Sequence, residues 1–99
     1  MSEFRGTLGE WSAFYGSNGT LILNDEDECI ASIGGRETTH EENDFNAKLI
    51  AAAPHMLEAL KRAQAQFWQA GIKADANSLN PIEELAARID VVISKALGQ

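Results

Sequence analysis

The chain is short of the residues that build chemistry. It has one cysteine, Cys29, and two histidines in 99 residues. A single cysteine excludes an intramolecular disulfide and any zinc finger or ribbon, and its free thiol fits a reducing compartment. Only two prolines interrupt the chain, and aromatics make up 7% of it. The longest apolar run, Leu49 to Pro54, is far shorter than a membrane span. The opening MSEFRGTLGE has no apolar stretch of the kind a signal peptide needs. The expectation is a cytoplasmic protein that stays off the membrane.

Basic residues are also scarce. Fifteen carboxylates face eight Lys and Arg, for a net charge of −7. Between residues 25 and 44, Asp25, Glu26, Asp27, Glu28, Glu37, Glu41, Glu42 and Asp44 are opposed by Arg36 alone. That segment therefore carries the whole net charge, and the rest of the chain is balanced. Phosphate-binding surfaces need clustered Lys and Arg, so direct nucleic-acid binding is not expected. The natural counterpart is a protein with a basic surface.

What is present reads as an α+β domain of 99 residues, with a sheet in 1–35, a helical segment over 43–70 and a C-terminal helix over 80–97. Glu10 to Tyr15, Thr20 to Leu23 and Glu28 to Ile33 have strand character. The Gly16-Ser17-Asn18-Gly19 turn and the polar Asn24 to Asp27 turn join them into a three-strand antiparallel meander. In the first strand, Trp11 and Tyr15 share one face and Phe14 takes the other. Residues 36 to 42 read as a loop, with a helix starting near Asn43 or Asp44 and Asp44 a candidate cap. Phe45, Leu49, Ala52, Met56, Leu60, Ala63 and Phe67 recur at steps of three and four, which predicts a buried stripe. Because the stripe keeps its phase across Pro54, a kinked, nearly continuous helix is expected rather than two helices. Gly71 ends it. Asn80 as N-cap, Pro81 at the first position and Glu83 as capping-box partner start the last helix, expected to pack antiparallel on the one before.

Few constellations point to catalysis. His40 with Glu37, Glu41 and Glu42 lacks the second histidine of a zinc motif, because position 44 is Asp44. The Asn24 to Glu28 run alternates oxygen ligands but has no glycine at the sixth position and no distal glutamate, so no calcium loop is expected. Cys29 reads as a small buried strand residue, with no base or cation beside it in the sequence to activate the thiol. Gly34-Gly35-Arg36 is a fragment of a phosphate loop without its frame; Arg36 is a possible anion contact. His55 reads as satisfied or solvent-facing. Trp68, about 100° around the helix from Phe67, is expected to cover the sheet or a partner, with core packing preferred to an exposed anchor. No catalytic residue, metal site or cofactor is expected.

The stretch Asn46-Ala47-Lys48-Leu49-Ile50-Ala51-Ala52-Ala53-Pro54, followed by Leu57-Glu58-Ala59-Leu60, resembles a set of small tailed-phage and prophage proteins that share a helix reading roughly ANA-LIAAAPELLEAL. The early tryptophan, the strands before the motif and the Ala- and Ile-rich last helix match as well. The resemblance implies phage origin and a location in the infected bacterial host. The phage setting raises a non-enzymatic role, foremost as an antagonist of host defence in the manner of anti-CRISPR proteins, and the localised negative charge makes Asp25, Glu26, Asp27, Glu28, Glu37, Glu41 and Glu42 the expected contact surface. The alternatives are a sponge for a cyclic nucleotide or ADP-ribose-type signal, with Arg36 and Trp68 as ligand contacts, and a structural or regulatory phage protein. The apolar stripes exceed what 99 residues easily enclose, so a homodimer or larger assembly is expected.

Overall fold

The computed structural model describes residues 3–17, 19–35 and 37–99. In order these form β1 (Ser12–Gly16), β2 (Gly19–Leu23), β3 (Cys29–Ile33), α1 (His40–Ala51), α2 (Ala53–Gln69) and α3 (Pro81–Ala96). The architecture is the expected α+β, with one helix more than the sequence suggests. The chain divides into two compact units: residues 6–55, and residues 56–99 with 1–5.

In the 6–55 unit the sheet order is β1-β2-β3, all antiparallel. Gly16 pairs with Gly19 and Ser12 with Leu23, so the first hairpin is tight. Between β2 and β3, Ile22 faces Ala31 while Leu23 faces Cys29, and the register shifts there to leave Ile30 as an extra residue. One sheet face carries Ala13, Tyr15, Thr20, Ile22, Ala31 and Ile33, because directly paired residues share a side. Ile22 and Ala47 are each 0% exposed, and α1 packs against all three strands. Thr20 Oγ1 donates to Asp44 Oδ1 at 3.0 Å, tying helix to sheet through a buried threonine. Asp44 therefore bridges helix to sheet and does not cap α1.

The cap is Thr39. Its hydroxyl accepts from Glu42 N–H at 3.1 Å and lies 3.2 Å from Glu42 Oε1. Thr39-His40-Glu41-Glu42 is thus a Thr-x-x-Glu start signal, and the helix begins at His40, inside the segment expected to be loop. The apolar stripe is corrected too. Asn43, Asp44, Ala47, Ile50 and Ala51 are the shielded positions of α1, whereas Phe45 and Leu49 are 59% and 61% exposed. Short side chains let the helix approach the sheet closely, which puts the larger residues of the stripe on the outer side. Helix and helix also part at Ala52, where the expected continuous helix splits in two. Pro54 has no N–H to offer and would clash with the Ile50 carbonyl. In the first turn of α2 its missing donor is one that a helix start leaves unpaired anyway.

In the 56–99 unit, α3 buries Ala86, Ile89 and Ile93 and is joined to α2 by the Gln64–Asp90 hydrogen bond. Asn80 accepts from Ile82 N–H at 3.0 Å. The expected reach of Glu83 to the cap residue is relayed instead. Ser78 Oγ donates to Glu83 Oε1 at 2.5 Å and accepts from Asn80 N–H at 3.0 Å.

Candidate functional site

The acidic residues are held by two different local structures. Asn24 organises the β2–β3 turn: its Oδ1 accepts from Glu26 N–H at 2.9 Å and Glu28 N–H at 2.8 Å, and its Nδ2 donates to Glu28 Oε1 at 3.0 Å. Asp27 takes a left-handed conformation, φ 61°, which aspartate tolerates better than most residues. Asp25, Glu26, Asp27 and Glu28 are all exposed. The Asp25 carboxylate lies over Gly9, whose φ of 88° is a backbone conformation that favours glycine. The other group is Glu37 in the loop before α1 and Glu41 and Glu42 in its first turn, again all exposed. There the helix dipole favours negative charge, and Glu42 is occupied with the Thr39 cap. Among the described residues none of these seven carboxylates forms an ion pair.

The topology separates the two groups. The Asp25–Glu28 turn closes the end of the sheet where Leu23 meets Ser12 and Cys29, while the chain leaves β3 for α1 at Ile33, opposite Thr20, at the end of the first hairpin. A single negative patch, which the sequence left open, is therefore replaced by two. Arg36 lies outside the described residues, as does Asn18 of the first turn.

The remaining candidates are placed as follows. Cys29 is exposed at the start of β3, not buried, with its Sγ 3.4 Å from the Ala31 carbonyl; the bulge that follows turns it outward. His40 is the first residue of α1. His55 Nε2 is 3.0 Å from Glu10 Oε1, both exposed. No group of three metal-ligating side chains occurs among the described residues. Among them, too, no helix is long and apolar enough to cross a membrane.

Trp68 is 85% exposed, against the expectation of core. It lines a cleft of about 610 Å³ wholly within the 56–99 unit, together with Lys61, Gln64, Phe67, Lys73 and Asp90. Lys61, Gln64 and Trp68 recur at i, i+3 and i+7 on α2 and so share a face. Gly71, φ 76°, reverses the chain: its N–H donates to the Trp68 carbonyl at 3.0 Å and Ile72 N–H to the Phe67 carbonyl at 2.9 Å. This glycine cap sets Ile72 and Lys73 on the cleft wall near Phe67. Asp75 N–H donates to the Glu83 carbonyl at 3.1 Å and fixes the returning loop on α3. Gln64 Nε2 donates to Asp90 Oδ1 at 2.8 Å across the helix pair. Among the described residues Lys61 and Lys73 form no ion pair, unlike Arg62 with Glu58 and Arg88 with Glu84. Of this set the sequence marked Trp68 alone as a ligand contact and Phe67 only as part of the stripe; the Lys61–Trp68 spacing with a terminator at Gly71 is the signal that could have found the others.

A family model described as Salmonella phage P22 protein Y8K6 matches residues 1–99, and the chain belongs to that family. No curated protein and no solved structure matches it.

Proposed function

We propose that this phage protein is a non-enzymatic binding protein that antagonises a bacterial defence system in the infected cell, as anti-CRISPR proteins do, by presenting its carboxylates to a basic surface of a host defence protein. The observation that carries this reading is the Asn24-braced turn. It projects Asp25, Glu26, Asp27 and Glu28 into solvent with no cation paired to them among the described residues. A braced turn holds its charges in place before the partner arrives, so little ordering is needed on binding. Glu37 and Glu41, at the other end of the sheet, make the second contact. The partner is a protein and not nucleic acid, given the net charge of −7. Self-association belongs to the same proposal: Leu85 and Val92, two turns apart on α3, are exposed apolar residues that a second copy would cover.

The test is a plaque assay in a host with an active CRISPR–Cas system. Expression of the protein restores plaquing of a targeted phage. Asp25→Asn with Glu26→Gln and Asp27→Asn abolishes the effect, and capture of the defence complex by the wild type weakens as salt rises. Full protection by the neutralised, folded variant would remove the acidic turn from the mechanism. Glu42 is left unchanged, because altering it would disturb the helix start.

A further inference from the structure

We propose that the cleft of the helical unit is a binding site for a nucleoside monophosphate: an aromatic base carrying N–H donors, joined to a phosphate. This goes beyond the acidic-surface reading and does not depend on it. Three features of the cleft each select one part of such a ligand.

The first is the aromatic wall. Trp68 presents nearly its whole side chain, 85% exposed, beside Phe67 and Ile72. A flat, open indole is a stacking platform for any heterocyclic base. The second is charge. Lys61 and Lys73 stand on the cleft with no carboxylate paired to either among the described residues, in a chain where carboxylates outnumber cations almost two to one. An ammonium is a compact donor well suited to phosphate oxygens. The third is the acceptor pair. Asp90 takes one hydrogen bond from Gln64 through Oδ1, and Asp90 Oδ2 and Gln64 Oε1 stay available to accept from N–H groups of a base. A volume of about 610 Å³ is ample for a mononucleotide. The site sits on helix faces and on a loop tied to α3, so its parts are held before the ligand binds.

The experiment is titration of the purified full chain with AMP, GMP, CMP and UMP, read by calorimetry and by tryptophan fluorescence. At least one mononucleotide gives saturable heat and quenches the emission. Trp68→Ala removes the quench and weakens binding about tenfold or more, as expected for loss of a stacked base, while Trp11→Phe keeps both. Lys61→Gln and Lys73→Gln each weaken binding, and the loss shrinks at high salt. Adenosine and inorganic phosphate each bind more weakly than AMP. The proposal is overturned if none of the four gives saturable heat at millimolar concentration, or if binding is unchanged in the folded Trp68 and lysine variants. It is equally overturned if phosphate alone binds as well as AMP, or if a single-stranded decanucleotide binds more tightly than any mononucleotide. None of these substitutions touches residues 25–44, so this site and the acidic turn stand or fall separately.

Discussion

The two units of the chain differ in charge more than in any other property. Residues 6–55 hold nine carboxylates against two cations, whereas residues 1–5 and 56–99 hold six of each. The whole net charge therefore belongs to the sheet and α1. In the helical unit Arg62 and Arg88 each meet a carboxylate one helical turn away, whereas Lys61 and Lys73, which line the cleft with an exposed indole, pair with none among the described residues. A chain of net charge −7 can thus carry the proposed anion site, since its excess of acids lies in the other unit and the two cleft lysines outnumber Asp90. Overall charge describes what approaches the molecule from a distance, not what one cleft accepts.

The units also differ in how their helices are held, and substitutions can break that contrast. The largest effect is expected from Ile22→Asp, which buries an unpaired charge against α1 at a position that is 0% exposed. The loss should be at least a few kcal/mol, seen as loss of a cooperative thermal transition. Ile93→Ala tests the helical unit in the same way. It removes a buried side chain of α3 and should cost about 2–5 kcal/mol, measured by chemical denaturation. Thr39→Ala removes the α1 cap and should cost about 1 kcal/mol, a fall in Tm of roughly 4–8 °C. The smallest effect is expected at Leu49→Asp, within about 0.5 kcal/mol of wild type, because that residue points outward. A large loss there would mean that the outer face of α1 is covered in solution. Light scattering on the same variant, beside the wild type, then shows whether a second copy does the covering.

Leu49 also marks where the sequence ceased to be legible. The strands, both turns and the last helix follow from local chemistry, such as Thr20 to Leu23 between turn residues and Pro81 after Asn80. Those signals act within a few residues. The stripe through Phe45 and Leu49 is a true helical period, but period alone does not say which side of a helix faces a sheet. Ala47 decides it, since a helix lying flat on strands needs its smallest side chains at the contact. Thr39 was missed as a cap because the acids around it read as solvated loop, although their position in a first turn is itself a start signal. In the candidate site, Lys61 and Lys73 are unremarkable in sequence. They acquire meaning from the reversal at Gly71, which sets residues twelve apart on one cleft.

The opposed placement of the two acidic groups has a geometric consequence. Each strand spans five residues, about 17 Å at the usual rise, so the sheet acts as a caliper with one negative jaw at each end. On the proposed function, a partner gripped by both jaws would have to repeat its positive charge at roughly that interval. Once the first contact formed, the second would be made at the high effective concentration of a tethered group. A partner with a single basic spot would meet only one jaw and be released sooner. Discrimination between basic proteins would then come from spacing, which neither cluster could measure alone.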